Sequence, residues 1–588
     1  MRYLGAELAA DREPGWHLRG RGGNQDLDVG CEINWSSCVA SPITDEATVQ
    51  AACGLMAVHG RQFGGPRLLP LGYASVAAGV IAAQGVLAAI LGQLRGIPAG
   101  HVHTTVAQAA LLTVGQYLAA ETAPHDQELD RVAADRPGPP FRSSDGVWFE
   151  IEALDSAPWQ RFWQAMGVEQ PVLGRAWRTF LTRYATAMCP LPTVLHEATT
   201  QRTFDETVTL AQSAGMAICR VRSPLERRAD IDGLAGEYVP PPWILAPSTP
   251  AGITLAPGTG LPLDGLTVVE STRRVQGPLA ANLLRMLGAK VVRIEQPGGD
   301  PLRQMPPVCG GVSARFDALN RDKTVVEVDL KSAAGRDEVL DLVRSADVFL
   351  HNWAPGKAGQ FGLDEEDLRA VAPGIVYGYA SGWGDHPPAG NPPGTDFMVQ
   401  AHSGLSSVIG TAGAPRTSLM TLVDVMGGLI TTEGIVAGLL GVAQSGRGVR
   451  VDTSLMRAAS VIEYAHLEDN RRGAVRGCSQ APESFGCDIL TTAAGVLAVS
   501  AGTATHTDRL KQLLGLAPDS DLALIRESLE DVCRSAEAAA LQEKLSSAGI
   551  PSHVVCEDLA DIPRNPELAA CLEQRECAFA GTPWRFES

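Results

Sequence analysis

Between residues 262 and 381 the apolar positions switch repeatedly between a period of two and a period near 3.6. Short β-branched runs predict strands over LTVVES (266–271), AKVVRIE (289–295), TVVEVDL (324–330), DVFLHNW (347–353) and GIVYGYAS (374–381). Helical spacing separates them, over PLAANLLRML (278–287) and AAGRDEVLDLVRSA (333–346). Strand and helix alternating through short loops predict an α/β fold built on a doubly wound parallel sheet. Ligands of such sheets lie beyond the carboxyl ends of the strands. That rule gathers VQGP (275–278), EQPGGDPLR (295–303), NRDK (320–323) and HNWAPGK (351–357) around one crevice. The first strand is not followed by GxGxxG, so no dinucleotide site is indicated there.

Two runs of small apolar residues, VAAGVIAAQGVLAAILG (76–92) and GLITTEGIVAGLLG (428–441), read as buried helices. They are copies of each other. Residues 75–109 and 424–458 share 10 identities in 35 ungapped positions, and VQAACGL (49–55) matches VQAHSGL (399–405). The register persists to Asp145–Gly146–Val147 against Ala494–Gly495–Val496, so the chain contains an internal repeat. In that register Ser75 stands opposite Asp424, and nothing in the first copy matches 262–390. The expected organisation is a lead-in (1–30), a truncated, non-catalytic copy (31–240) and a Pro/Gly-rich linker (241–262). A large Rossmann-like domain (263–460) and a small α/β domain (461–588) follow.

At 588 residues the chain is too long for a single core. The formal net charge of −18 argues against nucleic acid or an anionic membrane as partner. Twelve scattered cysteines without a CxxC pair point to reduced thiols and a cytoplasmic location.

The candidate chemistry centres on Asp424, which precedes Gly427, Gly428 and the second apolar run. A carboxylate there sits at the mouth of a buried helix, either as an N-cap or as a reactive group. Gly427 and Gly428 allow close backbone approach, for a ligand or for packing.

The ordered set PLDGLTVVEST, VQGPLAANLLRMLGAKVVRIEQPGGDP, LNRDKTVVEVDL, ADVFLHNWAPG, GTDFMVQAHSGL, LVDVMGGLITTEGIVAGLL and SGRGVRVDTSL resembles the family III CoA-transferases. The resemblance spans 262–588, and 31–240 resembles the later part of the same fold. It implies an acyl-CoA:carboxylate CoA-transferase in which Asp424 is a nucleophile forming an aspartyl mixed anhydride and then an aspartyl thioester. Coenzyme A and its acyl thioester are implied as substrates with a carboxylic acid, and the reaction requires no metal. Around the CoA nucleotide and arm the resemblance places Gln276, Gln296, Arg303, Lys323, Asn352, Trp353, Gly356 and Lys357. Related members carry arginines where this chain has Gln296, Trp353–Ala354 and Gln360, so the cationic contacts are either moved, to Arg273 and Arg274, or the carrier is not free CoA. Family members form interlocked dimers, which implies a homodimer or an intrachain pseudo-dimer.

Two other readings remain. An acyl-CoA racemase needs a second acid/base group, and Gly394–Thr395–Asp396 has Thr where racemases of this superfamily have His; His402 reads as a packing histidine. A non-catalytic or repurposed member would instead bind an acyl carrier or another partner protein. Lesser features are read blandly: His101 and His103 as a chance pair without a third metal ligand, Cys478 and Cys487 as ordinary thiols, and Trp148, Trp159, Trp163 and Trp177 as core.

Overall fold

The computed structural model describes residues 7–10, 16–22, 25–37, 41–124, 136–232, 240–250, 252, 254–385, 387–388, 390–410, 413–471 and 485–588; Cys478 lies outside them. The five strands expected between 266 and 381 form at Thr267–Ser271, Lys290–Glu295, Thr324–Glu327, Val348–His351 and Val376–Ser381. They belong to a seven-stranded sheet, ordered Thr324–Glu327, Lys290–Glu295, Thr267–Ser271, Val348–His351, Val376–Ser381, Arg447–Ser454 and Trp243–Pro250. All neighbours are parallel except the last pair. Val269, Val292, Ile294, Phe349 and Tyr377 bury one face under the helices Ala333–Val343 and Glu365–Val371. Helices Gln276–Met286 and Leu422–Ser445 cover the other face. Buried on both faces, these strands read as apolar runs rather than as alternation.

The final strand corrects the expected linker. Residues 243–250 pair antiparallel with Arg447–Ser454 because Trp243 and Leu245 pack on the core of the second copy. The lead-in is likewise structured. Glu7–Ala10, Trp16–Gly22 and Gln25–Asn34 join His101–Thr105 and Arg585–Glu587 in a five-stranded sheet. Arg585–Glu587, at the far end of the chain, thus pairs with the first copy. The expected small domain therefore ends early: Leu559, Ile562, Leu568 and Trp584 are apolar and bury themselves in the core shared with the first copy.

The two long helices, Tyr73–Leu94 and Leu422–Ser445, pack against each other at the centre of the molecule. Both are long and apolar enough to span a membrane by composition, and both are mostly buried here. Around them each copy embraces the other. The Trp584 indole donates to Ile81 O at 2.7 Å, and a Cβ on Gly85 would stand 2.8 Å from its ring. Trp243 lies against Gly434 in the same way, 3.0 Å from the corresponding position. The small sheets are exchanged too: Arg222 N donates to Ala401 O and Cys556 N to Ala51 O, both at 2.9 Å. The two copies are thus interleaved around the central helix pair.

Candidate active site

Asp424 lies in the first turn of Leu422–Ser445 and is 8% exposed. Thr421, with a left-handed φ of 54°, begins the helix without a side-chain cap of its own. The cap comes from Asp396, whose Oδ2 accepts from Val423 N at 2.8 Å and from Asp424 N at 2.7 Å. Gln400 donates to Asp396 Oδ1 at 2.5 Å and to Ser418 O at 2.9 Å. The N-cap role weighed for Asp424 thus belongs to Asp396, and the Asp424 carboxyl is left for other work.

The first copy repeats this device. Glu46 accepts from Ala74 N and Ser75 N, each at 3.0 Å, and Gln50 donates to Glu46 at 3.0 Å. At the position matching Asp424, however, the Ser75 hydroxyl is spent on Glu46 Oε2 at 2.5 Å.

Burial raises the pKa of Asp424 well above the ordinary carboxylate value, and the neighbouring Asp396 charge raises it further. Arg274 opposes them, and Glu152 adds to the repulsion. Arg274 is an exposed residue held at φ 66°, an uncommon conformation for a side chain beyond Cβ. Asn352 pins its loop, accepting from Arg273 N and donating to Arg273 O, both at 2.9 Å.

Glu152 comes from the first copy, on Trp148–Glu152. It accepts from Thr395 Oγ1 at 2.9 Å, from the Tyr184 hydroxyl, and from Arg183 Nη2 at 3.3 Å. Arg183 is fully buried and also donates to Glu150 at 3.1 Å. The Arg274 guanidinium stands 5.5 Å from the centre of the Tyr184 ring. Tyr73 and Tyr117, also from the first copy, donate to Leu422 O at 2.7 Å and Leu419 O at 3.1 Å. Residues of both copies therefore surround Asp424. In the small sheet of the second copy strand pairing matches Glu150 and Glu152 with Ala498 and Ser500, neither of which carries a charge.

The remaining predicted residues fall into three groups. Gly427 and Gly428 serve packing: a Cβ at Gly428 would meet Gln276 O at 2.9 Å, and one at Gly427 would meet the Gln276 side chain at 3.1 Å. Gln276 is accordingly buried. Lys323 and Arg303 are engaged inward rather than toward a ligand. The buried Lys323 ammonium donates to Glu270, Pro278 O and Asn320 at 2.8, 2.8 and 3.0 Å, and burial lowers its pKa to about 8. Arg303 forks onto Glu295 with two contacts of 2.8 Å. The third group meets at the crevice mouth: Gln296 accepts from Arg273 at 2.9 Å, Trp353 Nε1 donates to Ser271 at 3.2 Å, and Gly356 (φ 78°) precedes the exposed Lys357. His402 packs on Trp383 and Cys219. Trp159 and Trp163 are buried in an aromatic cluster with Phe162 and Phe180.

Asp396, Glu152 and Tyr184 were missed by sequence reasoning. Asp396 had a signal, since EATVQ (46–50) and DFMVQ (396–400) share the carboxylate-x3-Gln spacing in the repeat register. Glu152 had none, because only the folded chain shows which site its sheet faces.

A family model described as CoA-transferase family III matches residues 40–239 and 263–571. A probable fatty acyl-CoA transferase of Mycobacterium tuberculosis is 30% identical over 344 residues, covering 55% of this chain and 85% of that protein. A succinate–glutarate CoA-transferase of Agrobacterium fabrum is 30% identical over 281 residues, 46% of this chain and 70% of the relative. The orthorhombic crystal form of the mycobacterial protein aligns with a TM-score of 0.48 at 28% identity, over 56% of this chain and 94% of that one.

Proposed function

Since the chain belongs to CoA-transferase family III and is an enzyme of the transferase kind using CoA thioesters, we propose that it moves CoA between carboxylic acids through covalent acylation of Asp424. The observation that carries this is the contrast at one helix start. Asp424 keeps a carboxyl that the cap does not consume, beside an exposed guanidinium, where its counterpart Ser75 is tied to Glu46.

In the first step an Asp424 oxygen attacks the thioester carbonyl, the C–S bond breaks and CoA leaves as thiolate, giving a mixed anhydride. The thiolate then attacks Cγ of Asp424, releasing the donor acid and forming an aspartyl thioester. The acceptor carboxylate attacks Cγ in turn, CoA thiolate leaves again, and its attack on the acceptor acyl carbon yields the new thioester and free Asp424. Each step needs a charge stabiliser and restricted water. Arg274 faces the developing oxyanion or the acceptor carboxylate, and Tyr184 and Glu152 close the side contributed by the first copy.

The exposed Arg273, Gln296 and Lys357 and the half-buried Asn352 and Trp353 at the crevice mouth are the proposed contacts of the CoA nucleotide and arm. Racemisation is disfavoured because Asp396 is committed to two backbone N–H groups and Gln400, and His402 packs elsewhere.

Incubation with succinyl-CoA and other acyl-CoA donors, followed by hydroxylamine and peptide mapping, tests the proposal. A hydroxamate at Asp424 is expected. Transfer that persists in Asp424→Asn would overturn it.

A further inference from the structure

His101 and His103 have neighbours that their sequence spacing does not reveal. His101–Thr105 runs between Gln25–Asn34 on one side and Arg585–Glu587 on the other. Register places Glu32 opposite His103 and Glu587 opposite His101. His103 Nδ1 lies 3.2 Å from Glu32 Oε2, and its Nε2 lies 3.2 Å from Glu587 Oε2. The two imidazole centroids are 4.4 Å apart. One ligand atom each from Glu32, His101 and His103 falls within a common span of 4.8 Å. The pair read as fortuitous in the sequence therefore has a third donor, supplied by an adjacent strand.

From this geometry we infer a binding site for a divalent transition-metal ion of the zinc class, held by Glu32, His101 and His103. The donor set is the one such ions take: two imidazoles and a carboxylate, with metal–ligand bonds of about 2.0–2.2 Å. Ligand atoms around such an ion stand roughly 3–3.5 Å apart in a tetrahedron, the separation already present between His103 Nδ1 and Glu32 Oε2. The surroundings fit as well. Asn34 Nδ2 donates to Glu32 Oε1 at 2.8 Å, which turns Oε2 toward His103. With Nδ1 on the ion the ring proton would sit on Nε2, where Glu587 Oε2 stands 3.2 Å away to take its hydrogen bond. The fourth position is open to water, since Glu32, His101 and His103 are each partly exposed.

The site lies on the five-stranded sheet of the first copy, apart from the Asp424 helix start. Glu587 belongs to the strand with which the second copy reaches across, so an ion here would clamp the exchanged tail.

The test uses the full chain, stripped with chelator and dialysed against Co2+ and, separately, Zn2+. Free thiols are plentiful, so metal content alone does not decide, and the visible spectrum of the Co2+ form distinguishes nitrogen and oxygen ligands from thiolates. One equivalent with a nitrogen/oxygen spectrum is expected. His101→Ala and the near-isosteric Glu32→Gln should each weaken binding at least about tenfold, and Glu587→Gln less. Co2+ should raise the melting temperature of the parent and leave that of His101→Ala unchanged. Only thiolate-type binding in the parent, or unaltered Co2+ affinity in both His101→Ala and Glu32→Gln, overturns the site.

Discussion

Thr395 of the second copy donates its hydroxyl to Glu152 of the first at 2.9 Å, joining residues 243 positions apart beside Asp424. Glu152 is also among the charges that raise the Asp424 pKa. Glu152→Gln keeps an acceptor for Thr395 and removes that charge. The acid limb of kcat/KM should therefore move to lower pH, with a plateau within about tenfold of the parent. An unchanged limb would mean that the first copy has no electrostatic influence on Asp424.

Arg274→Gln should do the opposite. Arg274 lowers the Asp424 pKa, so its loss moves the acid limb to higher pH. A charge-assisted contact is worth about 1.5–3 kcal/mol, so kcat/KM at neutral pH should fall about 10- to 100-fold. Guanidinium added to the assay should restore part of it.

Asp424→Asn should cost at least about 10^3-fold in transfer and yet stabilise the fold at neutral pH. The folded carboxyl holds its proton to higher pH than the unfolded one. Parental stability therefore declines as pH rises above the unfolded value, about 3.9. The amide has no proton to lose, so its advantage in melting temperature should appear above about pH 4, grow with pH until the folded carboxyl has ionised, and vanish in more acidic buffer.

Ser75→Asp should not create a second active centre. The new carboxylate would meet Glu46, which already accepts from this backbone. Losing the hydroxyl bond and adding a like charge should cost about 1–3 kcal/mol. Denaturant titration should show it, and mapping should find no acyl group on that peptide.

Trp584→Ala should destabilise by about 3–5 kcal/mol, because the indole is 4% exposed, packs on Gly85 and donates to Ile81. The unfolding midpoint is the readout. A loss far below this would show that the exchanged tail is loosely held.

The strands between Thr267 and Ser381 were legible because β-branched residues with short loops specify them locally. The repeat was legible because the helix pair preserves its register, as Ser75 against Asp424 shows. What stayed hidden depends on chain ends meeting remote partners. Trp584 and Ile81 are 503 positions apart, and Glu32 reaches His103 through a neighbouring strand, Gln25–Asn34. Lys323 illustrates the converse: the resemblance places it around the CoA nucleotide and arm, and the fold pairs its ammonium with Glu270.

Fusion removes the concentration dependence of pairing. Halves that arrive in one translation product find each other at a fixed one-to-one ratio, however dilute the cell keeps them. It also releases each half from serving two masters. A homodimer with identical halves cannot carry Glu152 near one helix start and the uncharged Ser500 at the twin position, whereas this chain does both, so its two halves are free to diverge.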